Sequence, residues 1–99
     1  MTSDPDTAAI LNRVAAERTR QRDQWGNPHD DAHSPGDWLV LVVKWTGKIA
    51  GHLMDPPNGY GQAFLQELRG LFVKLAAVSV AAAEVMNRKL NGPSDVDGD

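Results

Sequence analysis

Lys44 and Lys48 stand four residues apart, a spacing that projects both ammonium groups from one face of a helix. Each borders an apolar stripe, and Lys74 holds the same position beside the stripe of a later segment. If the two segments are helices packed antiparallel through those stripes, the three lysines line one cleft. Clustered like charges cost energy unless something negative sits among them, and one or two phosphates would neutralise them directly. Arg69, about one turn before Lys74, adds a guanidinium suited to bidentate phosphate contact. Arg18, in a basic run with Arg13, Arg20 and Arg22, is a further phosphate candidate. Trp25, Trp45 or Tyr60 could stack a nucleobase, with His29, His33 or His52 hydrogen-bonding it. The candidate ligand-binding set is therefore Lys44, Lys48, Lys74, Arg69, Arg18, Trp25, His29 and Trp45. No catalytic residue, metal ligand or cofactor is expected.

Plainer readings of the same residues stand beside this one. Lysines at the border of an apolar stripe ordinarily reach out to water. Trp38 and Trp45, seven residues apart, suit a core or an interface better than a base platform. The arginine run is compatible with a solvated helix face. His29-Asp30-Asp31-Ala32-His33 has zinc-ligand residue types but reads as a loop, with no helix to fix the spacing.

The elements that must position these groups are helical. A first helix is expected over about 6–24, with Pro5 in its opening turn and a short stripe of Ile10, Leu11, Val14 and Ala15. Trp25-Gly26-Asn27-Pro28 ends it, and a polar loop follows over 29–33. Ser34-Pro35-Gly36-Asp37 is a strong start signal for a second helix over 35–54: a serine cap, proline at the first position and an acid three residues after the cap. Trp38, Leu41, Val42, Trp45, Ile49 and Leu53 share one face of it, and Leu39, Val43, Ala50 and Met54 form a second apolar face. A helix apolar on two sides is covered from two sides, and in so small a chain another subunit most easily supplies the second cover. Asp55-Pro56-Pro57-Asn58-Gly59 breaks the chain. A third helix is expected over 60–90, with Phe64, Leu68, Leu71, Leu75, Val78, Ala82, Val85 and Met86 as its stripe, ended by Asn91-Gly92-Pro93. The expected organisation is a flexible acidic start (1–5), one helical domain (6–92) and a disordered acidic tail (93–99).

At 99 residues the chain makes one domain near the lower limit for independent folding, so self-association is a natural way to complete its core. The formal net charge of −3 argues mildly against general nucleic-acid binding. Five of the 13 acids lie in the tails, leaving eight acids against ten bases in the body, a balance compatible with a phosphate-bearing ligand. There is no cysteine, which excludes disulfides and thiolate metal sites and fits a reducing cytoplasm. No apolar run reaches the roughly 18 residues that span a bilayer, and Met1 to Asp6 is unlike a signal peptide. A cytoplasmic, non-membrane protein is expected.

Three stretches taken in order carry a family resemblance: Glu17-Arg18 through Gln21 to Trp25-Gly26, Trp38 to Ala50, and Leu71 to Glu84. Together they resemble the MazG-like, all-α nucleoside triphosphate pyrophosphohydrolase superfamily, small phage and prophage members above all, over roughly residues 10 to 88. The resemblance implies a helical bundle assembled as a dimer or tetramer, and a magnesium site built from carboxylates on the two central helices. Here the first corresponding stretch reads Lys44-Trp45-Thr46-Gly47-Lys48 and the second Val73-Lys74-Leu75-Ala76-Ala77. Ammonium groups repel magnesium, which requires hard oxygen ligands. Glu67 is the only acid left on the face of the third helix near the presumed site, and one carboxylate does not support two-metal hydrolysis.

The leading expectation is a catalytically inactive MazG-like protein binding a nucleotide or other phosphorylated small molecule without metal, in a phage setting a sponge for nucleotide signals of host defence. The alternative is an oligomeric helical interaction protein with no small ligand. A residual magnesium-dependent pyrophosphohydrolase using Glu67, Asp37, Glu84 or another subunit's acids ranks below these, and nucleic-acid binding ranks last.

Overall fold

The computed structural model describes residues 4–91, and these are all-α: α1 (Pro5–Trp25), α2 (Asn27–Asp31), α3 (Pro35–Met54) and α4 (Gln62–Leu90), with no strand among the described residues. The expected tail over 93–99 lies outside the described residues. Four helices replace the expected three, because the stretch read as a polar loop opens with a short helix. Gly26, at φ +84°, turns the chain after α1 in a conformation that L side chains rarely adopt. Pro28 then occupies the first turn of α2, where its missing N–H costs no hydrogen bond.

Caps set the other boundaries. The Asp4 side chain accepts from the Asp6 amide at 2.8 Å and starts α1. At α3, Ser34 Oγ accepts from the Asp37 amide at 3.1 Å and Asp37 Oδ2 accepts from the Ser34 amide at 2.8 Å, a reciprocal capping box. α4 begins at Gln62 rather than at residue 60, with Gly61 in extended backbone at its cap (φ −83°, ψ −153°), and Tyr60 before it donates its hydroxyl to the Leu53 carbonyl at 3.2 Å.

α4 is the spine. α3 runs antiparallel to it: Trp38, at the start of α3, packs with Val78, Ala81 and Val85, while His52, near its end, stacks on Phe64. Leu41, Val42, Trp45, Ala82 and Met86 surround the buried cluster. α1 lies along the other flank of α4, where Val14 is buried, and its backbone stays more than 8 Å from that of α3, Cα to Cα, among the described residues. A cleft floored by Val78 and Ala81 is left between α1 and α3. Burial is confined to few side chains: Leu39, Val40, Val43 and Met54 on α3, and Leu65 and Phe72 on α4, are exposed. No helix among the described residues is long and apolar enough to cross a membrane.

Candidate functional site

The stripe of α3 that packs on α4 includes Trp45, and its half-buried indole projects toward the cleft. Lys44 and Lys48 flank it on the same helix, and Lys74 reaches it from α4. Their Nζ atoms lie 5.9, 5.0 and 5.7 Å from the ring centroid, within cation–π range. Three cations thus share one indole. Only Lys74 has a carboxylate nearby, Glu17 Oε2 at 3.5 Å; neither Lys44 nor Lys48 has an acid within ion-pair distance among the described residues.

Glu17 comes from α1 and is nearly buried. Its two oxygens accept from Nε and Nη2 on one edge of the Arg20 guanidinium, at 3.1 and 2.6 Å, and Oε2 accepts from Gln21 at 3.3 Å. The Arg20 hydrogen bond chiefly holds the Glu17 carboxyl below its usual range; burial opposes the shift, and the charge of Lys74 adds to it. Glu17 is therefore an ionised acid set among cations. It is the site residue that the sequence reading missed, and its one visible signal is the i,i+3 spacing to Arg20.

The cleft holds about 380 Å³ and is walled by α1, α2, α3 and α4, a size in the range of small-molecule sites. Lys44, Lys74, Trp45, Trp25 and His29 all line it. Lys48 meets the Trp45 ring from outside the lining. Along one wall runs a ladder of rings. Trp25 stacks on His29 at 5.0 Å and 24°, His29 meets the edge of His33 at 5.0 Å, and His33 tilts on Trp38 at 4.9 Å. His33 Nδ1 lies 3.0 Å from the His29 carbonyl. A carbonyl only accepts, so Nδ1 carries the proton and Nε2 is left free. The Nε1–H of buried Trp38 has no hydrogen-bond partner among the described residues.

No family model, curated protein or solved structure matches the chain. The site is therefore read from its own chemistry.

Several candidates fall elsewhere. Arg18 is buried and cannot reach a ligand: it donates to Glu84 Oε1 from Nη2 at 2.6 Å and from Nε at 3.0 Å, and to Gln21 at 3.2 Å, with Asp30 at 3.5 Å. Its charge is spent inside the fold, tying α1 to α2 and α4. Arg69 lies in a neighbouring groove of about 400 Å³ with Arg13, Gln66 and Val73, which shares Glu17, Arg20 and Lys74 with the cleft but neither Lys44 nor Trp45. Tyr60 and His52 sit around Phe64 at the far end of the hairpin, so neither serves a base in this cleft. Glu67, expected near the lysines, instead accepts from Asn58 at 2.8 Å and places Oε1 3.2 Å from His52 Nε2, close enough for an ion pair but out of hydrogen-bond alignment. Asp37 serves the cap and Glu84 serves Arg18 and Arg22. No group of three metal-ligating side chains occurs among the described residues, the His29–His33 segment included.

Proposed function

We propose that this protein binds a nucleotide or other phosphorylated small molecule in the cleft between α1 and α3, with ammonium groups doing the work that a metal ion does in a nucleotide hydrolase. The observation that carries the reading is the convergence of Lys44, Lys48 and Lys74 on the Trp45 ring, two of them without an acid partner among the described residues. Cations held together at one edge of a concave site make a place for phosphate, and the Trp25–His29 stack offers a flat apolar surface for a base beyond it. His33 Nε2, not used by the contact to the His29 carbonyl, can hydrogen-bond a ligand within the same wall. With the carboxylates divided among caps and arginine pairs, the site is suited to holding a phosphate ester, not to hydrolysing one. With the resemblance to small phage MazG-like proteins, this supports a sponge that sequesters a nucleotide signal of host defence.

Native mass spectrometry in magnesium-free buffer, with a mixed pool of mono-, di-, tri- and cyclic nucleotides, tests the reading. A bound nucleotide mass that disappears in Lys44→Glu is expected. A protein that stays empty, and whose melting temperature no nucleotide raises, removes the proposal. It would leave the interaction-protein alternative, which the exposed apolar residues of α3 favour.

A further inference from the structure

On α1, Arg13, Glu17 and Arg20 follow one another at steps of four and three, so they share one side of the helix. On α4, Gln66, Arg69, Gly70 and Val73 do the same. Where those two sides meet they form the groove of about 400 Å³ beside the cleft. Four cations line it, Arg13, Arg20, Arg69 and Lys74, against the single carboxylate of Glu17. Arg20 and Lys74 are engaged with that carboxylate. Arg13 on α1 and Arg69 on α4 have no acid within ion-pair distance among the described residues. Between them, Gly70 leaves the groove wall without a side chain. Glycine inside a helix is destabilising, and no tight helix contact requires this one: a Cβ there would meet nothing of another helix within 4 Å. The space beside it is open to an occupant.

We propose that this groove holds a second phosphate group of the ligand in the cleft, which makes that ligand a nucleotide phosphorylated at two separate positions of its sugar; this rests on the cleft taking the base and the first phosphate. The cleft and the groove share Glu17, Arg20 and Lys74, so one small molecule can reach both. Guanidinium groups offered from two helices suit the several oxygens of one phosphate. No aromatic ring lines the groove among the described residues, so it suits a bare phosphate rather than a second base. Glu17 then selects between the ways of joining two phosphates. Its carboxylate, held ionised by Arg20, stands on the wall common to the two sites. A continuous polyphosphate chain running from one site to the other would pass this negative charge and be repelled by it. Two phosphates parted by a neutral sugar take one side each.

Isothermal titration of the full chain in magnesium-free buffer tests it, comparing adenosine and guanosine 3′,5′-bisphosphates with the corresponding 5′-diphosphates. Each pair has the same base, sugar and number of phosphates and differs in where the second phosphate sits. The wild type is expected to bind a bisphosphate about tenfold tighter than its diphosphate, the order of one added charge-assisted contact. In Arg69→Gln, and in Gly70→Leu, which fills the groove without removing a charge, the two are expected to bind alike. Both positions are exposed, and leucine is a better helix former than glycine, so the variants keep the fold. Equal affinities in the wild type, or a preference that survives both substitutions, overturn the second phosphate site and leave the cleft as a nucleotide site. A wild type that binds none of the four nucleotides overturns both.

Discussion

Glu17 Oε2 lies 3.5 Å from Lys74 Nζ and joins α1 to α4 on the wall that the cleft shares with the neighbouring arginine groove. A phosphate brought to Lys74 meets this carboxylate. Two unit charges about 4 Å apart interact by roughly 1 kcal/mol in water-like surroundings, which is about fivefold in affinity. Glu17→Gln is therefore expected to tighten binding of inorganic pyrophosphate or a nucleoside diphosphate about fivefold by isothermal titration. Unchanged affinity would place the anion away from Lys74.

The same carboxylate sets a pH dependence of stability. Its folded pKa lies below the ordinary 4.5, principally through the Arg20 hydrogen bond. A carboxyl with a depressed folded pKa contributes stability that is complete above its unfolded value and is lost as pH falls through the folded one. Denaturant midpoints of the wild type are thus expected to fall from about pH 4.5 downward. In Glu17→Gln the part of that fall due to this group disappears. Parallel acid limbs in the two proteins would show that Arg20 gives Glu17 no such advantage.

Arg18 is a structural ion whose partners stay charged when it is removed. Its side chain is 4% exposed, and that of Asp30 10%. Breaking one side of a buried pair typically costs about 3–5 kcal/mol. Because Glu84 keeps partial access to water and Arg22 as a second partner, Arg18→Met is expected at the lower end, about 3 kcal/mol by urea unfolding. Arg69→Ala, on an exposed residue, should leave the unfolding midpoint unmoved. A loss below about 1 kcal/mol in Arg18→Met would mean that the pair is worth no more than a surface one.

Local rules made much of this architecture legible in advance. The Ser34–Asp37 box, the Asp55–Gly59 break and the 3.6-residue stripes mark the three long helices to within two residues. α2 was not legible because Asn27–Asp31 has no apolar residue to set a period, and a one-turn helix depends on its neighbours rather than on its own propensity. The distinction among the arginines was hidden for a related reason. Arg18, Arg20 and Arg22 look alike in composition, and only the i,i+4 relation of Arg18 to buried Val14 hints that it turns inward. Its partners, Asp30 and Glu84, are 12 and 66 residues away, a pairing that no local pattern encodes. Glu17 escaped notice similarly, since Lys74 meets it only once α1 has packed on α4.

Lys48 gives the cleanest dissection of charge from packing, because it is exposed and lies nearest the Trp45 ring, at 5.0 Å. A solvated lysine that merely covers the indole would be replaced by Gln or Glu with equal effect on a ligand, since either side chain can lie on the ring. A lysine that belongs to a phosphate site would not. The expected order of nucleotide affinity is wild type, then Lys48→Gln weaker by about fivefold, then Lys48→Glu weaker by a further fivefold or more, each step following the roughly 1 kcal/mol of one charge unit at close range. The gap should narrow at high salt, where the Debye length falls to about 3 Å at 1 M. Equal affinities for the Gln and Glu variants across salt concentrations would assign Lys48 to covering Trp45 and leave phosphate binding to Lys44 and Lys74 alone.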